Sequence, residues 1–444
     1  MTGTQVVLGI DQGSSGARAV VLTSDGAVLG SGRAPCRDLR RTPSGTHHEP
    51  DQWLDESLSA ARAALGAAGC TELDAIGVGA LGPAPVVIDS ELRPLADSPL
   101  FPIDPVPAWV DALPADLVSR AAWVVDVAGF LVGTLVGRPV MDRITAADHV
   151  VEGEAARVAV PDAREPFEIA GELTAALGER LGVAPGVPVA VGTYDTFVDL
   201  AGIAVTEPGS AAILLGSTVI VGTVHGEPVA PDGLRSSPHV GPGWFVGGWT
   251  STAGRALSWA ASLAAEADRE RVVAEAGAMA PGGGGVLAMP YLDGERAPVW
   301  DPAARGALLG LTTSTSLAQI YRGVLDGVVL STLDLADRLG PVRGGAPWTV
   351  TGGGVRDVAW VQATADALGE PLRAVDLPDA AAAARAGFTA IGEPLPPPAG
   401  RTVEPGSKDR GRWQELAAVY RGMYEALAER MHQLGALAGE GAPV

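Results

Sequence analysis

The sequence predicts an α/β protein built in two halves. Three observations carry this. Short apolar, β-branched runs alternate with longer stretches of helical periodicity. The chain has 444 residues, more than one typical core holds, which makes two domains the default. One pattern (apolar run, small polar turn, apolar run) occurs at residues 5–21 and again at 210–224. It opens each half and suggests two related units facing each other.

In the first copy, QVVLGIDQGSSGARAVV, residues 6–10 and 17–22 read as paired strands, and Asp25-Gly26 offers a second tight turn. Asp11, Gly13, Ser14, Ser15 and Gly16 occupy the turn between them. Small residues let backbone N–H groups converge on an anion, hydroxyls add donors, and an aspartate can hold a hydrated cation. An ordinary hairpin would carry the same pattern. Residues 35–50 form a polar excursion with His47 and His48. Paired loop histidines are usually solvated, and no third ligand lies at metal-site spacing, so no metal is expected there. A helix begins at Pro50, with Trp53, Leu54, Leu58, Ala61 and Leu65 on one face.

Residues 75–79 and 85–88 read as short strands. The prolines of LFPIDPVP, where Asp104 sits, keep residues 100–107 from continuing a helix. The apolar stretch 118–135 reads as one buried helix ended by Arg138-Pro139. Residues 187–192 form a buried strand that runs into Thr193, Tyr194 and Asp195. An acidic residue at a strand exit is a common site position, although Asp195 could equally cap the helix after it.

The second copy, SAAILLGSTVIVGTV, has Gly216, Ser217 and Thr218 as its turn. A strand at 244–249 and a helix from about Ser251 follow. The segment PYLDGERAPVWDPAARGALLGL reads as ordered loop, and 317–339 as a long amphipathic helix. A strand at 348–351 leads into Gly352-Gly353-Gly354 and a helix from near Asp357, an arrangement that lets a flat or anionic ligand approach the backbone. Residues 377–398 are alanine- then proline-rich, and the last helix covers 411–434.

Composition excludes several classes. A formal net charge of −21 argues against nucleic acid and anionic membranes as partners, but leaves a phosphorylated small molecule open. Cys36 and Cys70 are the only cysteines, too few for a disulfide framework and consistent with a reducing compartment. There is no signal-peptide pattern at the N-terminus and no apolar run of membrane-spanning length. The expected location is therefore cytoplasmic. Lys408 is the only lysine, so a phosphate loop ending in Gly-Lys-Ser/Thr is absent. Neither Gly-x-Ser-x-Gly nor His-Glu-x-x-His occurs.

At the triple glycine a family pattern emerges. TGGGVRDVAWVQATADALGEPL resembles the adenosine motif of the FGGY family of carbohydrate kinases, with Trp360, Gln362, Ala365 and Asp366 at its offsets. PYLDGERAPVWDPAARGALLGL resembles the family signature, LGIDQGSSGARAVVL its first phosphate motif, GTYDTFVDLAG its catalytic-aspartate segment and LLGST its second phosphate turn. The five matches lie in family order over nearly the whole chain, and pentulose kinases (xylulokinase-like) look nearest.

The resemblance implies a two-domain actin-like ATPase (ribonuclease H-like) α/β fold with the active site in the interdomain cleft. It places an N-terminal domain at 1–205 and a C-terminal, nucleotide-binding domain at 206–444, the last helix being free to pack back on the former. It implies transfer of the ATP γ-phosphoryl group to a sugar or polyol hydroxyl with Mg²⁺. Carried over by position, Asp195 is the general base and also a substrate contact, and Asp11 holds Mg²⁺. Gly13, Ser14, Ser15 and Arg18 neighbour the phosphates from one half, and Gly216, Ser217 and Thr218 from the other. Gly353, Gly354 and Gln362 border adenosine. Family members are often dimers, so the resemblance allows a homodimer.

Three departures fall in the sugar half. GVGALGPAPVV stands where pentulose members have a polar Gln-Met-His type motif, which leaves Ala80 and Leu81 as substrate-side positions without hydrogen-bonding side chains. FPIDPVP keeps Asp104 from a Trp-x-Asp-x-Arg segment but not its tryptophan or arginine. The chain is also short just after Asp104. Substrate identity does not follow from the sequence. An alternative is a catalytically silent nucleotide-binding homologue acting as sensor or regulator. A phosphohydrolase or chaperone of the actin-like class fits the Gly-Glu-Arg segment and the glycine-to-Asp366 spacing poorly.

Overall fold

The computed structural model describes residues 4–37, 40–42, 45–100, 106–149 and 157–437. Two compact units result. The first comprises Met1–Ala204, Pro238–Gly241 and Leu377–Pro398; the second comprises Val205–Ser237, Pro242–Asp376 and Ala399–Val444. Two segments from the second half of the sequence, Pro238–Gly241 and Leu377–Pro398, thus join the first unit, and the last helix falls in the second.

The first unit is organised around β1 (Val6–Gly13), which pairs antiparallel with β2 (Gly16–Thr23), Asp11 lying opposite Arg18. The strands run further into the polar stretch than the apolar runs suggest, so Asp11 is a strand residue and the turn reduces to Ser14-Ser15. β3 (Val28–Pro35) continues the meander. Helix α1 (Pro50–Ala68) then crosses over, and β4 (Ala75–Ala80) pairs parallel with β1 on its other side. Pro188–Ala190 and Ile169–Glu172 complete that edge. β1 is covered on both faces, as its unbroken apolar run requires: Leu8 belongs to the apolar cluster that contains Trp53, Leu58 and Phe130, and Val7 to the one that contains Phe388.

Phe388 belongs to the helix Ala381–Ala390. That helix seats directly on backbone, because a Cβ on Gly77 would lie 1.8 Å from the Ala383 carbonyl oxygen, and one on Gly9 2.4 Å from Ala384 N. The alanine run of this segment and the glycines of β1 and β4 are therefore two sides of one contact.

The expected single helix over 118–135 is instead a short helix Ala115–Val118, a strand Trp123–Val125 and helix α2 (Val127–Val136). Asp126 divides them: its Oδ1 accepts the Val127 N–H at 2.8 Å and caps α2. The excursion at 35–50 contains a hairpin, Arg40–Thr42 with Gly45–His48. Thr193–Tyr194 pairs with β4 and delivers the chain into α3 (Asp195–Gly202).

The second unit repeats the sheet plan. β5 (Ala211–Leu215) and β6 (Val219–His225) form the hairpin, Trp244–Trp249 follows antiparallel, and helix α4 (Leu317–Arg343) precedes β7 (Trp348–Thr351), parallel to β5. Leu372–Ala374 and Arg401–Val403 close that edge, parallel and antiparallel respectively. Spatial order and strand direction match the first sheet, which gives structural content to the repeated sequence pattern. α4 starts in a Ser316/Gln319 capping box. α5 (Val358–Leu368) is capped by Asp357, and α6 (Arg410–Leu437) packs on α4 and α5 within its own unit. Residues 290–311 are irregular apart from Ala307–Leu309. Among the described residues, no helix is long and apolar enough to cross a membrane.

Candidate active site

In the first unit an acidic cluster gathers at the end of the sheet. Asp11 and Arg18 are directly opposed across the β1–β2 hairpin, so their side chains share a face. Arg18 Nη1 donates to Asp11 Oδ2 at 3.4 Å, and Nη2 to Ser15 Oγ at 3.2 Å. Its Nε lies 3.7 Å from Asp379 Oδ2, and Arg33, opposite Arg18 on β3, also bonds Asp379. Asp379 thus offsets two adjacent arginines. Ser14 and Ser15 are exposed at the turn, whereas Gly13 is buried.

Asp195 is the first residue of α3 rather than its N-cap, and its Oδ1 accepts the Thr196 N–H at 2.6 Å. Asp199 stands one helical turn on, on the same face. Burial, and after it the charge of Asp11, push Asp195 up to about 7. Burial, then Asp11 and Asp195, push Asp199 well above the usual carboxylate range. Burial also raises Asp11, with Arg18 opposing. The Asp11 side chain keeps 24% exposure, so water shares its solvation with the protein. Asp11, Asp195, Asp199 and Asp379, with Arg18 and Arg33 among them, make an oxygen-rich donor set, which suits a hard divalent cation. Asp199 and Asp379 did not emerge from the sequence. The Asp-x-x-x-Asp spacing could have shown Asp199, but nothing local marks Asp379.

A buried polar network backs the Asp195 segment. Tyr194 Oη donates toward Asp126 Oδ2 at 3.3 Å and Asp148 Oδ2 at 3.1 Å. Thr193 Oγ1 donates to Asp142 Oδ1 at 2.9 Å, and that carboxylate also accepts the Ile144 and Thr145 N–H groups. Burial pushes Asp142 up to about 6 and His149 down to about 4. These contacts fix the backbone immediately before Asp195.

The sugar-side positions fare differently. Ala80 is 0% and Leu81 2% exposed. Ala80 pairs with Tyr194, the Leu81 N–H donates to the Gln12 carbonyl at 2.7 Å, and both side chains lie in the apolar core. Their side chains meet protein, so neither is available to a ligand in this conformation. Asp104 lies outside the described residues.

In the second unit the turn of Gly216, Ser217 and Thr218 is closed by Gly216 N–H donating to the Thr218 carbonyl at 2.9 Å. The Ser217 and Gly216 carbonyls accept from Ala253 and Gly254 N–H, tying the turn to the start of the helix Gly254–Ser262. Gly352 has φ +93. Gly353 is exposed with open space where a Cβ would stand, whereas a Cβ on Gly354 would lie 2.5 Å from the Trp360 ring. Gly354 is therefore required by packing, and Gly353 is the open position of the platform. Gln362 donates through Nε2 to Asp366 Oδ1 at 2.7 Å and the Glu404 carbonyl at 2.9 Å, and Asp366 also accepts the Gly406 N–H. Gln362 braces the chain after Arg401–Val403, and its amide donors are already engaged. In the signature segment, Glu295 accepts from Ser251 and Arg296 N–H and burial pushes it up to about 8.

Two α/β units of like sheet order, one carrying a carboxylate cluster and each a small-residue turn, define the two-domain sugar-kinase fold of the actin-like class. The sequence matches the FGGY family of carbohydrate kinases, N-terminal domain, over residues 6–113 and the C-terminal domain over 211–391. A xylulose kinase from Escherichia coli (strain K12) is 24% identical over 422 residues, covering 82% of this chain and 85% of that protein. A gluconokinase from Bacillus subtilis (strain 168) is 24% identical over 304 residues, covering 61% of this chain and 58% of that protein. The crystal structure of gluconate kinase from Lactobacillus acidophilus matches with TM-score 0.86 at 17% identity, covering 97% of this chain and 100% of that one. The chain belongs to the FGGY family of carbohydrate kinases. Membership makes it a sugar phosphotransferase, with ATP as phosphoryl donor.

Proposed function

We propose that the chain phosphorylates a hydroxyl of a small sugar or polyol, a pentulose in the first instance, with Asp195 as general base. The observation that supports this most is the Asp195 carboxylate itself. It sits at a strand exit on the first turn of a helix, poised near neutrality by burial and by Asp11. A base of that strength can take the hydroxyl proton as the oxygen bonds to phosphorus. Asp11 would hold Mg²⁺, which when bound neutralises charge on the phosphate oxygens. Arg18, fixed by Asp11 and Ser15, would stand beside the phosphates with the Gly13, Ser14 and Ser15 backbone. We assign Gly216, Ser217 and Thr218 to phosphate binding in the second unit and Gly353 to the adenosine platform. Gly354 and Gln362 support that platform. Positioning and charge stabilisation supply most of the rate in such transfers.

A panel of pentuloses, hexuloses, pentitols, glycerol and gluconate, assayed for sugar-dependent ADP release, tests this reading. Turnover highest with a pentulose is expected. Preferred turnover of gluconate would overturn the substrate assignment, and ATP binding without turnover of any sugar would favour the silent homologue.

The base also sets a pH dependence. Asp195 must be deprotonated to act, so log kcat/KM should rise with unit slope up to about pH 7 and level above it. A cation bound at Asp11 replaces repulsion by attraction, so the same limb in kcat should move to lower pH. A profile of kcat/KM that is flat from about pH 5.5 to 8 would remove the assignment.

A further inference from the structure

Beside the first hairpin turn, where the Cys36 N–H donates to the Ser15 carbonyl at 3.1 Å, three side chains distant in sequence meet. Cys36 follows β3, His48 ends the strand Gly45–His48, and Glu56 lies in α1. One ligand atom from each (Sγ, a ring nitrogen and a carboxylate oxygen) falls within 4.8 Å of the others. His48 Nε2 stands 3.6 Å from Glu56 Oε1, with the two side chains 0% and 1% exposed. The other ring nitrogen, Nδ1, is 2.9 Å from the Glu49 carbonyl oxygen. Only an N–H makes that contact, so in neutral imidazole Nε2 carries the lone pair. Among the described residues Nε2 has no hydrogen-bond partner, although it is buried.

The surroundings hold this arrangement in place. Glu56 accepts the Arg37 N–H at 2.8 Å and the Gln12 amide at 3.0 Å, and Ser57 Oγ orients Gln12 at 2.9 Å. Trp53 stacks on His48 at 4.8 Å with 7° between the planes. A lone pair and a carboxylate facing each other in a buried site repel unless a cation lies between them. A proton would suffice for those two groups alone. The third donor, a sulfur, points to a metal.

We propose that Cys36, His48 and Glu56 bind a divalent cation of the zinc type. Thiolate, imidazole and carboxylate are its usual protein ligands. With bonds of about 2.0–2.2 Å, tetrahedral nitrogen and oxygen ligands stand roughly 3.3–3.5 Å apart, within about 0.1–0.3 Å of the 3.6 Å His48–Glu56 separation. Closing the wider span to sulfur requires the half-buried Cys36 thiol to exchange its 3.6 Å contact with the Arg37 carbonyl for the ion. One thiolate and one carboxylate neutralise the ion, and the Nδ1–H bond to a backbone carbonyl is the usual brace of a metal-bound histidine. Three protein ligands leave the fourth position for water. The ion ties the end of β3 to α1 and, through Gln12, to the strand carrying Asp11. The sequence spacing hides this site, because Cys36 and Glu56 flank the histidine pair at distances outside the familiar motifs.

The full chain, stripped with chelator and kept free of nucleotide, is titrated with Co²⁺ and then Zn²⁺. One equivalent of Co²⁺ should bind with a thiolate-to-cobalt charge-transfer band, displaced by Zn²⁺. Zn²⁺ should raise the melting temperature and protect Cys36 from alkylation, a readout that needs no variant. Cys36→Ser and His48→Gln should each abolish the band and weaken Zn²⁺ at least about tenfold, whereas Cys70→Ser keeps both. No stoichiometric uptake, a band that survives Cys36→Ser, or alkylation of Cys36 unaffected by Zn²⁺ would overturn the proposal.

Discussion

Asp195→Asn should lower sugar-dependent ADP release by about 10²–10⁴-fold, the range a positioned general base contributes, with ATP affinity changed by less than about threefold. Asparagine keeps the shape and can still accept the Thr196 N–H, but it cannot take a proton. Initial rates and nucleotide binding by calorimetry separate the two effects. Wild-type turnover in a folded variant would refute the role.

The same substitution should stabilise the fold. The carboxyl protonates near 7 in the folded chain, against 3.8 without the fold. Between those values the native state holds the extra proton, so stability falls as pH rises through this window, and the penalty is complete above about 7. Asp195→Asn removes it. At pH 8 the gain should be on the order of 1–2 kcal/mol, allowing for partial solvation of the carboxyl. Near pH 4 it should vanish. Thermal melts at the two pH values read the difference, and equal shifts at both would mean that the carboxyl is not destabilised by its surroundings.

Gly77→Ala should destabilise the first unit by about 3 kcal/mol or more, at the upper end of overpacking costs. The added methyl would stand 1.8 Å from the Ala383 carbonyl oxygen, a backbone atom with no rotamer to yield. The helix Ala381–Ala390 must then lift off β4, and Asp379 just before it would leave Arg18 and Arg33. The melting temperature should fall by several degrees and activity with it. Gly66→Ala is the control: it lies in α1 with open space around its Cβ position, and alanine there should be neutral or stabilising by about 0.5–1 kcal/mol. Equal melting of the Gly77 variant and wild type would show that the helix does not rest on this backbone.

Much of the candidate site was legible because its pieces are local. The hairpin that carries Asp11 and Arg18, the turn of Gly216 to Thr218, and Asp195 at a strand exit each declare themselves within a dozen residues. The misreadings arose where a local pattern had two solutions. Residues 118–135 are apolar enough for one helix, but Asp126 caps a shorter one and the preceding valines enter a strand. Ala80 and Leu81 occupy substrate-side positions by order along the chain, yet pairing with Tyr194 and burial in the core remove their side chains from reach. Gln362 and Gly354 matched an adenosine motif, and the folded contacts show why a chain would need those residues for packing alone.

The sequence by itself determined the α/β class, the repeated hairpin, the family and the aspartate proposed as base, since periodicity, turn chemistry and motif order are properties of neighbours along the chain. Tertiary structure alone decided what neighbours cannot encode. It placed Asp379 against Arg18, Ala383 against Gly77, and Cys36 beside His48 and Glu56. It also set the strength of Asp195, because the proton affinity of a carboxyl depends on the solvent it has lost and on the charges folded around it.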